Sequence, residues 1–348
     1  MSDRISLEQH LDAWAGTDDL RAAAAATVAA LASAARDIAS IVAAGPLAGT
    51  LGARHGEAKG GDFQTELDLR ANDLLVNGLA RAPVGALASE EMDAPLALNA
   101  GAPIAVALDP LDGSSNIDTN VSIGTIFSLL PLLPGSGGAE PAAFLRAGRD
   151  QIAAGYALYG PQTAFVLTLG EGTDIFTLDP ARATFVRTSA RVRVPARARE
   201  FAINASNYRH WDPPVRQWFD DCLAGAEGPR GENFNMRWIA SMVAEAHRIL
   251  VRGGIYLYPG DAREGYRNGR LRLLYEANPI AFLMEQAGAA ASTGRERILD
   301  RVPRMLHERV PLVFGAREDV ERVERHLASP EPKPQRSPLF EQRGLFRV

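Results

Sequence analysis

Ile104-Ala105-Val106-Ala107-Leu108-Asp109-Pro110-Leu111-Asp112-Gly113-Ser114-Ser115-Asn116-Ile117-Asp118 is the stretch on which the reading of this chain turns. Its apolar run, 104–108, predicts a buried strand. Asp-Pro-Leu-Asp-Gly then reads as a turn carrying two carboxylates three residues apart. Gly-Ser-Ser-Asn follows with backbone amides that can face an anion. Carboxylates at a strand end beside a small-residue turn suit a hard cation held against a phosphate. Mg²⁺ takes oxygen ligands and shares its shell with substrate phosphates. A plain surface β-turn draws on the same residue types. An EF-hand loop does not fit. It needs ligands at its first, third and fifth positions and Gly at the sixth, whereas here the second Asp is fourth and the Gly fifth.

Working outward, Ser89-Glu90-Glu91 follows a short apolar run, 84–88, that reads as another strand. Successive side chains on extended backbone point opposite ways. The two glutamates therefore suit different tasks, one on metal and one on protons. Further upstream, Asp62 and Asp68 frame a segment running into a helix start near residue 69. Acidic residues in a first helical turn also simply complement the helix dipole. The set of Asp68, Glu90, Glu91, Asp109 and Asp112 carries more weight than any member. Crowded carboxylates repel one another and are tolerable when cations sit among them. Two or three divalent ions there would polarise a phosphoryl oxygen and activate water.

The C-terminal half adds positive and hydroxyl groups. Residues 236–242 read as helix and present Arg237; 252–259 read as a strand entered through glycines. Residues 268–276 read as a turn into a strand or a helix start, ending on Glu276 as a further metal ligand or a cap. Arginine suits forked phosphate contacts, although each arginine taken alone also reads as a solvated surface charge.

With 348 residues the chain has room for about two domains or one large layered one. A formal charge of −5 points away from nucleic acid and anionic membrane as partners. The single Cys222 excludes an intramolecular disulfide and fits a reducing, cytoplasmic setting. The start lacks a signal-peptide pattern. The alanine-rich stretch 20–44 is interrupted by Arg36 and Asp37 and reads as a packed helix rather than a membrane span. Strand-like runs at 123–133, 152–158, 163–169 and 174–178 predict a sheet in the first half. Later segments alternate strand and helix, at 201–204, 213–223, 237–250, 255–258, 279–287 and 310–314. The expected fold is α/β, a layered α/β/α/β/α arrangement of two stacked halves. The halves are residues 1–192, which carry most of the acidic motifs, and 193–328, which carry the added positive and hydroxyl groups. A mobile tail is expected at 329–348, and residues 131–138 read as a turn or loose loop.

DPLDGSSNID, the preceding SEE, GDFQTELD, VSIGTIF, SMVAEAHR, GGIYLYP and GRLRLLYEANP together resemble the class I fructose-1,6-bisphosphatase family, in the right order from about Thr17 to Val320. DP-x-DG alone is shared with a wider set of metal-dependent phosphatases that includes inositol monophosphatases. The longer strings narrow the likeness. The resemblance implies Mg²⁺-dependent hydrolysis of the 1-phosphate of fructose 1,6-bisphosphate, in gluconeogenesis or carbon fixation. It implies that Glu90, Asp109, Asp112, Glu276 and the Leu111 carbonyl bind two or three Mg²⁺ ions, with Asp62 helping to hold the third. Asp68 and Glu91 would activate water. Gly113, Ser114 and Ser115 would receive the phosphate removed. Asn204, Tyr258, Arg270 and the turn at Asp112 would hold the sugar and its retained phosphate. Arg237 would reach the phosphate of a neighbouring subunit, so a homo-oligomer, a homotetramer, is implied.

Departures from the family pattern concern specificity and control. Trp238 and Asn207 stand where many members have phosphate-binding tyrosines, with Tyr208 adjacent to the latter, and Arg270 replaces a Lys. Pro103 and Ile104 stand where AMP-inhibited members carry Lys and Tyr, which implies weak or no AMP inhibition. The segment 16–20 still offers helix-start amides to an anion. Sedoheptulose-1,7-bisphosphatase activity, alone or in addition, is the enzymatic alternative, since the longer sugar keeps the same phosphoryl end. A non-catalytic sugar-phosphate sensor is the other.

Overall fold

The computed structural model of the chain describes residues 5–59, 62–132 and 140–328, with side chains at all of these except 56–59, 62 and 63. The expected tail, 329–348, and most of the 131–138 loop lie outside the described residues.

The first half runs α1 (Leu7–Ala15), α2 (Asp19–Ala44), a hairpin of β1 (Arg54–Lys59) and β2 (Asp62–Thr65), then α3 (Glu66–Leu79). β3 (Val84–Ser89), β4 (Leu96–Ala97), β5 (Ile104–Asp112), β6 (Ile123–Pro131), β7 (Ala153–Tyr159), β8 (Thr163–Thr168), β9 (Thr173–Asp179) and β10 (Thr184–Ser189) follow. These eight form one sheet in the order β10-β9-β8-β7-β6-β5-β3-β4. Only β3 and β5 pair in parallel; every other neighbour is antiparallel.

The second half runs β11 (Glu200–Ile203), α4 (Pro213–Leu223), β12 (Asn235–Met236), α5 (Met242–Arg252), β13 (Ile255–Tyr258) and β14 (Leu271–Arg272). It continues with a π-helical turn Leu273–Ala277 that leads into α6 (Asn278–Gln286), then β15 (Ala290–Ser292), β16 (Arg309–Val310), β17 (Leu312–Gly315) and α7 (Arg317–Ala328). Its sheet has the order β12-β11-β13-β17-β15.

Three apolar layers hold five structural ones. On the outer face of the first sheet, Val28, Leu31 and Ile38 of α2 and Leu67, Ala71 and Leu75 of α3 meet Ile104, Val106 and Leu108 of β5. Between the sheets, α5 and α6 fill the space between Ile126 and Tyr156 on one side and Tyr256 and Phe314 on the other. On the far face, Trp218 of α4 and Val323 of α7 cover Leu257 and Val313. The order is α/β/α/β/α, as the sequence predicts. Each fully buried aliphatic side chain contributes about 1.5–3 kcal/mol relative to exposure. α2 is long and apolar enough to cross a bilayer by length and composition alone, yet Val28, Leu31 and Ile38 are fully buried against the protein.

Helix starts follow side-chain chemistry. Ser6 with Gln9 and Thr65 with Asp68 form reciprocal capping boxes, and Ser241 caps α5. At α2, Asp18 Oδ1 accepts the Arg21 N–H at 2.8 Å. Two expectations change. Residues 236–242 are not a helix: β12 ends at Met236 and α5 begins at Met242. The DPLD stretch is not a free turn either. β5 continues to Asp112, with its register against β6 shifting between Asp109 and Asp112. That irregularity places both carboxylates at the strand end, and the turn starts at Gly113.

Candidate active site

Asp109, Asp112 and Glu276 converge from sequence positions far apart. Each places one carboxylate oxygen within 4.8 Å of the others, and all three are buried. Leu111 is buried between the two aspartates, and its N–H donates to Asp109 Oδ1 at 2.9 Å. Glu276 lies in the π-helical turn before α6. Single π turns of this kind recur at functional sites, where they redirect one side chain without ending the helix. Burial raises the Asp109 carboxyl well above its usual range, and Glu90, Glu276 and Asp112 push it further. Glu276 is raised in the same direction by burial and Glu90. Burial takes Asp112 up to about 6, against the pull of its hydrogen bonds. Such a set carries more negative charge than its surroundings neutralise. Oxygen-only donors, closely spaced and dry, are the chemistry a hard divalent cation satisfies, so these residues fit the expected metal.

The two glutamates lie in the turn after β3, which ends at Ser89, so strand alternation does not set their directions, and they take different partners. Glu90 faces the acidic cluster and stands 3.3 Å from Arg272 Nε. The Glu91 carboxylate takes a hydrogen bond from Gln64 Nε2 and also adds to the charge around Asp109. Asp68 lies near Glu91 and is 2% exposed. Burial pushes its carboxyl up to about 6 although Thr65 donates both its N–H, at 2.6 Å, and its hydroxyl, at 2.7 Å. Asp68 is thus a capping residue that also lies within reach of the Glu91 charge. The Thr65-x-x-Asp68 spacing is the signal that identifies the first role. Asp62 opens β2, and its side chain lies outside those described.

Beside the acids, the Gly113 turn lies at a seam between the halves. Gly113 has φ 80°, and a Cβ there would lie 3.0 Å from Ser241 Cβ. Ser114 and Ser115 begin a short 3₁₀ helix, Ser114–Thr119. The start of α5 closes on this turn. Val243 N–H donates to Asp112 Oδ2 at 2.9 Å, the Ser241 hydroxyl lies 3.3 Å from the same oxygen, and Asn116 Nδ2 donates to Ala240 O at 2.9 Å. Ala240 itself is held at φ 62°, a costly conformation for a residue with a Cβ. None of these α5 contacts is legible in the sequence, because they join residues more than 120 positions apart. Gly124, opposite Asp112 in the β5–β6 ladder, clears the way. A Cβ there would lie 2.8 Å from Val243 Cγ2.

The expected sugar-phosphate residues come in two groups. Trp238 lies over Tyr256 with ring centres 6.0 Å apart and meets Tyr258 at 6.2 Å. Tyr256 in turn lies within reach of the charges of Asp112 and Glu276, which ties this aromatic wall to the acids. Arg270, Asn204 and Arg237 engage their own surroundings. Arg270 Nη1 donates to Tyr266 Oη at 2.7 Å, and Asn204 Oδ1 accepts from the Ser206 hydroxyl at 2.6 Å. Arg237 Nε stands 3.5 Å from Glu200 with half its side chain exposed. Tyr208, adjacent to Asn207, spends its hydroxyl on Asp220 at 2.9 Å.

Models of the two fructose-1-6-bisphosphatase domains match residues 3–190, the N-terminal domain, and 194–328, the C-terminal domain. The chain belongs to the class 1 fructose-1,6-bisphosphatase family. It is 56% identical to fructose-1,6-bisphosphatase class 1 1 of Nitrobacter hamburgensis over 349 aligned positions, covering 100% of both chains. It is 52% identical to the class 1 protein of Rhodopseudomonas palustris strain BisB18, again over 100% of both. Among solved structures, Leishmania major fructose-1,6-bisphosphatase in its holo form superimposes with a TM-score of 0.87 at 32% identity, covering 94% of this chain and 99% of that one. The apo form of the same enzyme gives 0.83 at 31% identity, covering 94% and 100%. As a member of this family the chain is a phosphatase enzyme, and the sensor alternative falls away.

Proposed function

We propose that this phosphatase hydrolyses fructose 1,6-bisphosphate to fructose 6-phosphate and inorganic phosphate, with Mg²⁺ as its metal. The convergence of Asp109, Asp112 and Glu276 beside the Gly113 turn carries the reading. Those three residues, with Glu90 and the Leu111 carbonyl, would hold the ions, and Asp62 would join them at a third. Bound Mg²⁺ supplies a Lewis acid for the phosphoryl oxygens and lowers the pKa of water.

The chain's own groups do the remainder. Glu91 and Asp68 lie near each other and would take the proton of the attacking water. An Asp68 carboxyl near pKa 6 is ionised yet basic enough to do so at neutral pH. The Gly113, Ser114 and Ser115 backbone receives the departing phosphate. Tyr258, Trp238, Asn204 and Arg270 hold the sugar and the retained phosphate, with Arg237 reaching across to a partner subunit. Residues 1–192 thereby supply most of the metal ligands, with Glu276 added from 193–328, the half that also carries the sugar recognition.

The deciding experiment is phosphate release from a panel of substrates, with EDTA-treated protein and restored Mg²⁺. Fructose 1,6-bisphosphate is expected to give the highest kcat/KM, above sedoheptulose 1,7-bisphosphate and inositol monophosphate. No release from fructose 1,6-bisphosphate with Mg²⁺ present rejects the reading.

A further inference from the structure

Side chains of β13 alternate between two environments. Tyr256 and Tyr258 turn into the core between the sheets, beside the acids, whereas Leu257 turns outward beneath α4 and α7. On that outer face lies a cavity of about 330 Å³, at the small end of the range for ligand pockets. The second sheet separates it from the candidate active site.

The apolar wall is Val215 and Trp218 of α4, Leu257 of β13 and Val313 of β17. Trp218 is 1% exposed, and its indole N–H has no hydrogen-bond partner among the described residues. Leaving such a donor buried and unpaired costs stability. Arg267 and Arg295 also line the cavity; both are exposed, and neither side chain makes a hydrogen bond or ion pair among the described residues. Other charges on the wall are largely spoken for. Asp261 takes the Arg263 guanidinium, with Nε 3.0 Å from Oδ1, and His326 Nε2 stands 3.3 Å from Asp221. Asp212, at the start of α4, remains as a single carboxylate against two cations.

We propose that this cavity is a second ligand site. It takes a small organic acid with an aromatic or branched apolar body. The body packs on Trp218, Val215, Leu257 and Val313, and the carboxylate faces Arg267 and Arg295. The segment 259–267 forms one wall and leads from Tyr258 to Arg270. Tyr266 within it holds Arg270 by a hydrogen bond and lies 4.8 Å beneath its guanidinium. An occupant therefore braces the segment that positions both residues. The binding claim itself does not depend on the catalytic reading.

The test uses the full chain labelled with 5-fluorotryptophan. Its four tryptophans give four ¹⁹F lines, assigned by single Trp→Phe variants. The probe is 3-phenylpropionate, titrated to about 20 mM, since a ligand of this size binds in the millimolar range. The Trp218 line is expected to move saturably while the Trp238 line stays in place. Arg267→Ala and Arg295→Ala should each weaken binding about threefold, as for exposed charge pairs, and the neutral 3-phenylpropan-1-ol should bind more weakly by a similar factor. A stationary Trp218 line at 20 mM overturns the proposal. So does movement of the Trp238 line alone, which would put the probe in the substrate site, or equal affinity for acid and alcohol.

Discussion

At the scale of single residues, the acids of this site work against stability. Asp109 is buried among four carboxylates. A neutral amide at this position removes repulsion and desolvation from the metal-free fold, and it also removes a ligand. Asp109→Asn is therefore expected to raise the melting temperature of EDTA-treated protein and to lower kcat by about a thousandfold or more. Each kcal/mol recovered should appear as about 2–4 °C by calorimetry. A melting temperature that falls, with kcat intact, contradicts both halves. Glu91→Gln has a different signature. Gln64 Nε2 donates to the Glu91 carboxylate. The amide keeps that position but accepts no proton, so kcat should fall about 10²–10⁴-fold while KM changes little. Wild-type kcat across the pH range rejects the role.

At the scale of elements, the end of β5 and the start of α5 form one joint. Asp112 accepts the amide of Val243, while Gly113 lies against Ser241 with no room for a larger group. Gly113→Ala should be costly twice over, through its φ of 80° and through the 3.0 Å contact with Ser241 Cβ. The conformational part alone amounts to about 1–2 kcal/mol. Stability and kcat should fall together, and Gly113→Ala should cost less stability in a Ser241→Gly background than in the wild type, a comparison that cancels the lost α5 cap. An equal cost in both backgrounds would place it all in the backbone. At α2, Asp18→Ala removes the cap and should destabilise by about 1 kcal/mol in a denaturant titration.

At the scale of the whole molecule, regulation and assembly are the measurable properties. Ile104 is fully buried in β5 and has no donor to offer a nucleotide, and Asp18 occupies the helix start with its own negative charge. AMP titrated at saturating Mg²⁺ and low substrate is therefore expected to inhibit phosphate release weakly or not at all; potent inhibition would show an anion site that survives both features. Arg237 lies half exposed beside Glu200, free to present its outer nitrogens to another chain. Arg237→Ala should chiefly raise KM. Mixed with Asp112→Asn subunits, it should recover part of the activity after subunit exchange, since some sites then pair a sound metal centre with a sound neighbouring arginine. Verified hybrids without recovery would place Arg237 in its own chain's site.

Much of this protein is legible in its amino-acid order. Apolar runs of the right length mark β3, β5 and β6 as strands, because a strand covered on both faces needs no polar alternation. The 213–223 run opens on Pro213, which suits a first helical position, whereas α3 starts at Glu66, three residues before the expected 69, because Thr65 and Asp68 cap it. The acidic residues of the site are likewise visible as motifs, Glu90-Glu91 and Asp109 to Asp112. What only the tertiary structure decided is which of them meet. Glu276 reaches Asp109 through a π turn, and the neighbours Glu90 and Glu91 separate toward Arg272 and Gln64. The 236–242 segment loses its helical reading because Met236 pairs beside β11 and Asp112 binds the first amides of α5. Local bonds depend on neighbouring residues and can be read along the chain. Burial, shared charge and contacts across more than a hundred residues arise only once the two sheets have closed on each other.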